Sequence, residues 1–252
     1  MLDALRLSVG TLTIVPSGTI GEIDRRTAAR AMIMAPLAVL PLAAVVTLLG
    51  WLAQAAGLPP LAIGLLVVGG LALGSRALHL DGLADTVDGF GAGWTAERSL
   101  AVMRRGDVGP MGVVTLIVVL GLQAISIGEL VDGVGGALLV GVAVCCSRAV
   151  LCLICLRGVP AARGEGLGVV VADSVPRTAA TGCWLAVLLI MTVVAAGTGH
   201  GAISGALAVV AAATAVGVLV YRSVRRLGGV TGDVMGAGIE IAFTVLIVVM
   251  II

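Results

Sequence analysis

The sequence is short of charge and of aromatic side chains, and it contains no lysine. Only 12% of its 252 residues are charged and 2% are aromatic, whereas 60% are hydrophobic. A soluble domain of this length carries about twice as much charge, so the composition excludes an ordinary soluble protein. A net charge of +1 gives no reason to expect a nucleic-acid partner. With so few aromatic rings, helices must pack through aliphatic and small side chains, a role that the 37 glycines suit.

Metal ligands of the sulfur and imidazole type are also scarce. The sequence has two histidines and five cysteines, and the cysteines all lie in or beside apolar segments. Cys152 and Cys155 have the C-x-x-C spacing, but no second pair and no nearby histidine accompanies them. We therefore interpret the cysteines as small buried residues rather than as a zinc or redox site.

Long apolar runs are abundant instead. Several reach the roughly 20 residues that cross a hydrocarbon core, where backbone groups must bond within a helix. The sequence predicts one all-α domain, residues 1–252, folded as a polytopic membrane bundle with about seven transmembrane helices. Residues 1–30 precede the bundle and are predicted to be cytoplasmic or to lie along the interface. The apolar runs are 31–56, 61–80, 111–130, 134–156, 179–197, 202–221 and 234–252.

The arginines fall in alternate connections between these runs, and so on one side of the predicted bundle. None lies in the short connections at 57–60, 131–133 or 198–201. By the positive-inside rule the N-terminus is cytoplasmic and the C-terminus lies outside. The long connections, which are the ones expected to carry function, then share the cytoplasmic face. They are residues 81–110, 157–178 and 222–233.

The segment HLDGLADTVDG, residues 79–89, gathers Asp81, Asp85 and Asp88 at spacings of four and three. If the second apolar helix continues beyond Leu80, all three carboxylates share one helix face. Such carboxylates repel each other unless a cation lies among them, and Mg²⁺ is often held by carboxylates together with substrate phosphate. The segment therefore predicts a metal or phosphate site. The alternative is a solvated acidic helix end.

A second acidic cluster lies in GGVTGDVMGAGIE, where Asp233 and Glu240 share a helix face seven residues apart. Glycines such as Gly232 leave backbone N–H groups open to an anion. We expect both acids to be metal ligands. We also expect Asp233 to lie near Asp81, Asp85 and Asp88, with the last helix starting beside the end of the second. The alternative is a flexible loop in which Asp233 caps the helix.

Several arginines are candidate anion ligands. In ARGEGLG, Arg163 and Glu165 either bind phosphate or pair with each other. Arg76 and Arg148 stand near inner helix ends, where they either bind an anion or extend to the interface. His79 is interpreted as an interfacial residue. Carboxylates for a cation and arginines for anions together indicate phosphoryl-group chemistry.

The motifs LHLDGLADTVDG, GLG after ARGEG, and GGVTGDVMGA resemble those of the cobalamin synthases, the adenosylcobinamide-GDP ribazoletransferases. The resemblance runs from LTIVP near the start through SRAVL in the fourth helix to the end. It implies an integral membrane protein that depends on Mg²⁺. Together with the distribution of arginines, this predicts a multi-pass protein of the bacterial cytoplasmic (inner) membrane with its active site facing the cytoplasm. One departure is MRRGDVG, in which Arg105 and Asp107 appear exchanged relative to the family pattern.

The activity implied by the resemblance is transfer of the adenosylcobinamide-phosphate group from adenosylcobinamide-GDP to α-ribazole or its 5′-phosphate, releasing GMP. One aspartate that does not bind the metal would take the hydroxyl proton. The bilayer is the remaining partner, with a homo-oligomer or a complex with other cobalamin-assembly enzymes as the expected assembly. The expected catalytic residues are Asp81, Asp85, Asp88 and Asp233; the expected substrate ligands are Arg76, Arg148, Arg163, Glu165 and Gly232; the expected metal ligands are the four aspartates and Glu240.

Two other functions remain open at this point. A CDP-alcohol phosphotransferase has a motif that opens Asp-Gly-x-x-Ala-Arg, which Asp81 and Gly82 fit, but Asp85 and Thr86 stand in the places of Ala and Arg. A cation-coupled transporter would use the same acids as ion ligands. Transporters usually place such residues near the bilayer midplane in broken helices, whereas these lie towards one face.

Overall fold

The computed structural model describes residues 1–19, 21 and 23–252. Helices make up most of this part of the chain, which contains no strand and two isolated parallel bridges, Leu156 with Val175 and Ala161 with Val230. A 3₁₀ turn at Arg148–Val150 joins the eighth helix to the ninth. The helices of the described residues are, in order, α1 (Leu2–Leu12), α2 (Arg25–Ala38), α3 (Leu40–Ala55), α4 (Pro60–Gly74), α5 (Leu78–Gly91), α6 (Ala96–Val102), α7 (Pro110–Leu130), α8 (Val134–Ser147), α9 (Leu151–Ile154), α10 (Leu167–Val171), α11 (Arg177–Gly197), α12 (Ala202–Leu227) and α13 (Gly232–Met250).

Six helical runs of the described chain are long and apolar enough to cross a membrane, and the pair α4 and α5 would make a seventh. The first run joins α2 to α3 with a break at Val39, just before Pro41, which has no N–H to donate. The predicted all-α bundle with about seven transmembrane helices is thereby confirmed, and the protein is a multi-pass membrane protein. The six runs are Arg25–Ala55, Pro110–Leu130, Val134–Ile154, Arg177–Gly197, Ala202–Leu227 and Gly232–Met250.

The second predicted helix is shorter than expected. It ends at Gly74, and α5 then leaves it at an angle of 91°. Arg76 and Ala77 adopt left-handed conformations, with φ of 57° and 54°, and the Ala77 N–H donates to the carbonyl of Ala72 as in a helix C-cap. The second helix therefore does not continue past Leu80, which was the condition considered for a shared helix face. The aspartates lie on a separate helix.

The last cytoplasmic connection is also shorter than expected. Helix α12 continues to Leu227, so its arginines are helical, and Gly228 ends the helix in a left-handed conformation. Four residues, 228–231, then lead into α13. The short connection ties the start of α13 closely to the end of α12.

Helix α1 packs against α2 and reaches the bend between α4 and α5. The Arg76 side chain donates to the carbonyl of Gly10 at 2.9 Å, and the N–H of Ile14 donates to the carbonyl of Gly74 at 2.7 Å. Both bonds hold the N-terminal segment beside the bend. The prediction that this segment lies along the membrane interface stays a prediction.

Helix α13 is the centre of the bundle, packed against α5, α7, α8 and α12. Two glycines let α5 and α13 approach closely. A Cβ at Gly82 would lie 2.7 Å from the carbonyl oxygen of Asp233, and one at Gly236 would lie 3.0 Å from the Cα of His79. This contact places the acidic motif of α5 against the first turns of α13.

Candidate active site

Asp81 and Asp85 lie on α5 beside Asp233 in the first turn of α13. The carboxylate of Asp85 interacts electrostatically with those of both other aspartates. Asp81 is exposed, whereas Asp85 is half-buried. The expectation that the last helix begins beside the acidic motif is confirmed by the contact of Gly82 with the Asp233 backbone.

Arg163 joins this group from the connection between α9 and α10. One of its terminal nitrogens lies 3.2 Å from the Asp233 carboxylate. Its Nε and its other terminal nitrogen are buried and have no hydrogen-bond partner among the described residues. Buried donors of this kind normally have a partner, so the guanidinium has two nitrogens that no group of the described chain satisfies.

Backbone pairing brings Arg163 to this position. The N–H of Ala162 donates to the carbonyl of Val230, and the N–H of Val230 donates to the carbonyl of Pro160, both at 2.9 Å. The segment that follows α9 is thus joined to the segment that precedes α13. Residues more than 60 positions apart in sequence form one wall of the site.

The segment between α10 and α11 is anchored on α2 and on the residues that follow α9. Asp173 accepts a hydrogen bond from the Gly158 N–H at 2.7 Å and pairs with Arg25. These two contacts, first the N–H and then the guanidinium, hold the pKa of Asp173 below its usual value. The negatively charged Asp173 therefore joins the residues after α10 to Gly158, which follows α9, and to Arg25 at the start of α2.

Thr231, and not Asp233, caps α13. Its hydroxyl accepts from the N–H of Val234 at 3.3 Å and also donates to the Asp233 carboxylate at 3.2 Å. The alternative in which Asp233 is the helix cap was wrong, since the cap position lies two residues earlier. The Asp233 carboxylate is free to face α5 and Arg163.

Asp88 shares the helix face of Asp81 and Asp85 but faces a different neighbour. It is buried, and its two oxygens accept hydrogen bonds from the N–H groups of Gly109 and Gly112 at 2.7 and 2.9 Å. It therefore satisfies the first N–H groups of α7. The metal and catalytic roles predicted for Asp88 stay predictions.

Glu240 lies in a second polar cluster, buried between α5, α7, α8 and α13. It accepts a hydrogen bond from Gln123 at 2.8 Å, and its other oxygen lies 3.9 Å from Nδ1 of His79. Arg148, buried and lining the same small cavity, donates to the Ser147 hydroxyl and to a carbonyl of its own helix. The predicted roles of Glu240 as metal ligand and Arg148 as substrate ligand stay predictions, but the two residues face each other rather than the aspartates of α5.

Of the remaining predicted ligands, two lie beside the aspartates and the third does not. Arg76 and Gly232 line a cavity together with Asp81 and Asp233. Glu165 pairs with Arg104 at 3.0 Å. The alternative in which Glu165 pairs with Arg163 was therefore wrong, and the exposed Glu165–Arg104 pair joins two cytoplasmic connections instead.

The cavity has a volume of about 360 Å³ and opens beside the aspartate cluster. His79 lines it and is 4% exposed, so the interpretation of His79 as an interfacial residue was wrong. Neither ring nitrogen has a hydrogen-bond partner among the described residues. The lining residues are Gly10, Thr11, Leu12, Met32, Arg76, Leu78, His79, Asp81, Leu151, Leu167, Gly232, Asp233, Met235, Gly236 and Ile239.

Comparison with known proteins identifies the family of this chain. The model of the cobalamin-5-phosphate synthase family matches residues 4–251. The chain belongs to this family. A protein of a Nocardioides species is 49% identical over 96% of this chain and 95% of its own length. One of Frankia casuarinae is 36% identical over 99% of this chain and 94% of its own, and one of Bradyrhizobium diazoefficiens is 32% identical over 92% and 87%.

All three relatives are named adenosylcobinamide-GDP ribazoletransferase. No solved structure matches this chain significantly. The resemblance seen in the acidic and glycine-rich motifs is thereby confirmed along nearly the whole chain. The structure adds to it the meeting of those motifs in space.

A magnesium ion in this protein would need oxygen ligands, and the aspartate cluster supplies them. Asp81, Asp85 and Asp233 are carboxylates on facing helices, the donors that Mg²⁺ prefers. As they stand, no three His, Cys, Asp or Glu side chains of the described chain converge on one point. The donor chemistry fits the ion, and binding would have to draw the carboxylates together. Cys152 and Cys155 are buried free thiols, as expected.

Sequence reasoning missed two residues of this region. Gln123 is the partner of Glu240, and a lone amide in an otherwise apolar transmembrane run was the signal that could have found it. Thr231 is the cap that orients Asp233, and a threonine directly before the helix start was its signal.

Proposed function

We propose that this protein transfers the adenosylcobinamide-phosphate group of adenosylcobinamide-GDP to α-ribazole or its 5′-phosphate, with release of GMP. The observation that carries the proposal is the meeting of Asp81, Asp85, Asp233 and Arg163 in a chain of this family. In the reaction, a ribose hydroxyl oxygen bonds to the cobinamide-bearing phosphorus. The bond from that phosphorus to the GMP oxygen breaks, and GMP leaves.

Charge on the diphosphate has to be balanced for this displacement. Arg163 has two nitrogens that no group of the described chain satisfies, next to the aspartates. Helix α13 starts at Gly232, which lines the cavity, and its N-terminal N–H groups favour a phosphate by their dipole. Together they stabilise negative charge on the phosphate oxygens where it develops.

Asp81, Asp85 and Asp233 are the residues that would hold Mg²⁺. When bound, the ion neutralises diphosphate charge and makes GMP a better leaving group. Asp88 and Glu240 are weaker candidates than the sequence indicated, because Asp88 already accepts two N–H groups and Glu240 faces Arg148 and Gln123.

The proton of the ribose hydroxyl passes to an oxygen of one of these carboxylates, the one that does not bind the metal. The site therefore divides its work between Arg163 and the helix N-terminus, which bind phosphate, and the aspartates, which bind the ion and the proton.

We place the site at the cytoplasmic face of the inner membrane, with the N-terminus inside and the C-terminus outside. Support comes from the arginines, which fall in the N-terminal segment and at alternate connections. The same connections contain Arg163 and lead into Asp233. The homo-oligomer, or the complex with other cobalamin-assembly enzymes, stays a prediction, as does the contact with lipid.

The test uses purified protein in lipid nanodiscs with adenosylcobinamide-GDP, α-ribazole and Mg²⁺. We expect GMP and the cobalamin product in equal amounts, and no product once EDTA has removed the metal. Asp132→Asn, at the opposite end of the bundle from the aspartate cluster, is the matched control and should turn over normally. Release of CMP from a CDP-alcohol, or ion flux in liposomes without GMP, would support the two other functions instead.

A further inference from the structure

The second polar cluster contains a buried acid and a buried base that the proposed mechanism does not use. Arg148 is 2% exposed and the Glu240 side chain 12%, and both lie in helical runs long and apolar enough to cross a membrane. A charge without a counter-ion is costly in such surroundings, so two charges of opposite sign are expected to compensate each other. The role of both residues therefore has to be found within the cluster.

The cavity that Arg148 and Glu240 line is too small for a substrate group. Its volume is about 10 Å³, close to the space that one water molecule needs. A phosphate group does not fit, and neither does Mg²⁺, which usually keeps several of its waters. The charges of the two residues interact with each other. Each is therefore the counter-ion of the other.

The Glu240 carboxylate joins α13 to three other parts of the bundle. Gln123 of α7 donates to one of its oxygens at 2.8 Å and to the Thr244 hydroxyl at 3.0 Å. Arg148 directly follows α8 and lines the same cavity. Nδ1 of His79, on α5, lies 3.9 Å from the other carboxylate oxygen. A single acid thus links α13 to α5, α7 and the end of α8.

The contact with His79 is important because α5 does not continue the helix before it. Two residues of the bend between α4 and α5 have left-handed conformations, which are unfavourable for residues other than glycine. Helix α5 therefore needs contacts of its own to fix its direction. The His79 backbone lies against Gly236, and its ring faces Glu240 one turn further along α13. Asp81 follows two residues later and moves with this turn of α5.

We infer that Glu240, with Arg148 as its counter-ion, is a positioning residue for the reaction. It holds His79, and through His79 it keeps Asp81 beside Asp233. The inference rests on the proposed function, because a displaced aspartate is detected in the rate of that reaction. It assigns no metal to Glu240 and no substrate to Arg148.

The first test is a cycle of Glu240→Gln, Arg148→Met and the double variant. Each single change leaves one buried charge without a counter-ion, whereas the double change leaves none. We expect each single variant to unfold roughly 10 °C below wild type and to lose at least about tenfold in kcat. The double variant should recover to within about 3 °C and about threefold of wild type. Glu129→Gln, at an exposed position of α7, is the matched control and should equal wild type.

The same variants distinguish positioning from binding. A positioning role lowers kcat and leaves KM for adenosylcobinamide-GDP and the half-maximal Mg²⁺ concentration within about twofold of wild type. A metal ligand at Glu240 would instead raise that Mg²⁺ concentration about tenfold in Glu240→Gln and in the double variant alike. A substrate ligand at Arg148 would raise KM in Arg148→Met and in the double variant. Either result overturns the inference.

The second test compares His79→Asn with His79→Leu. The two new side chains are similar in size, but only asparagine keeps an N–H where Nδ1 of the histidine faces Glu240. We expect kcat to fall at least about tenfold in the leucine variant and no more than about threefold in the asparagine variant. Equal kcat in the two folded variants would contradict the role of His79 in holding α5.

Thermal unfolding without substrates tests the Arg148–Glu240 pair separately from the reaction. An inactive wild-type protein that still gives the expected cycle of unfolding temperatures would contradict the proposed function and leave the pair intact. If a single variant cannot be purified, a folded and active double variant supports the inference, and a double variant that also fails to fold overturns it. Single variants that unfold early but keep full kcat well below their unfolding temperature would overturn the positioning role.

Discussion

Asp81 and Asp85 lie on α5 beside the contact of Gly82 with α13, and Asp85 interacts electrostatically with both Asp233 and Arg163. Their neighbour Asp88, one turn further on, bonds to the start of α7. At the scale of single residues, three aspartates of similar spacing thus divide into two that lie beside Asp233 and one that bonds to the start of α7.

Asp81→Asn and Asp85→Asn should each lower kcat by at least about a hundredfold, because each removes a negative oxygen needed for the ion or for the proton. The rate of GMP release at saturating substrate measures the effect. The folded state of each variant is checked by its elution profile and thermal unfolding. Asp132→Asn, at the opposite end of the bundle, is the control, and a near-normal kcat in either α5 variant would contradict the proposed site.

Asp88→Ala should lower the free energy of unfolding by about 0.5–2 kcal/mol, since it removes the acceptor for two N–H groups at the start of α7. Asp88→Asn keeps one acceptor oxygen and should lie between the alanine variant and wild type. Thermal unfolding in detergent, followed by tryptophan fluorescence, measures both. An alanine variant as stable as wild type but inactive would show that Asp88 acts in the chemistry instead.

At the scale of helices, the site depends on how closely α5 approaches α13. The bend after Gly74 turns α5 across the end of the bundle, and glycines on both helices remove the side chains that would keep them apart. Backbone pairing of Ala162 with Val230 adds the segment that carries Arg163. Site geometry is therefore a property of three elements and not of the acidic motif alone.

Gly82→Ala should separate these helices. Its Cβ would meet the Asp233 carbonyl oxygen at 2.7 Å and the Asp233 Cα at 3.0 Å, so the backbone has to shift at a cost of about 1–3 kcal/mol. We expect a lower unfolding temperature and at least about a tenfold loss of kcat, because Asp233 moves away from Asp85.

Gly217→Ala in α12 is the matched control. Its Cβ would meet nothing within 4 Å, and alanine is favoured over glycine in a helix interior by up to about 1 kcal/mol. This variant should be at least as stable as wild type and fully active. Equal behaviour of the two alanine variants would contradict the close approach of α5 and α13.

At the scale of the whole molecule, the arginine-rich connections and the aspartate cluster lie at one end of the bundle, and Asp132 lies at the other. The orientation proposed above, with the aspartate end in the cytoplasm, rests on the distribution of arginines and the cost of moving them across the bilayer.

Cysteine labelling of intact cells tests this orientation. A membrane-impermeant maleimide should label Asp132→Cys from outside, whereas Gly164→Cys should react only after the membrane is opened. Both positions are exposed in the structure, and the parent with its native cysteines corrects for background. Labelling of Gly164→Cys in intact cells, with none at Asp132→Cys, would mean the opposite orientation.

The sequence by itself determined that this protein is a helical membrane bundle and that it belongs to the cobalamin synthases. Apolar length and the need to bond every backbone group in lipid are local properties, and they can be read without the fold. The sequence also predicted that Asp81 and Asp85 lie near Asp233, because both motifs fall at the same side of the predicted bundle.

Tertiary structure alone decided what each polar group faces. Asp88 bonds to residues more than 20 positions away, Glu240 to Gln123 more than 100 away, and Arg163 reaches Asp233 through a backbone pairing with no sequence signature. The bend after Gly74 depends likewise on left-handed residues that are not glycine and on bonds from α1. Spacing along a helix predicts which side chains share a face. The partner of each side chain depends on which helix or connection packs against that face.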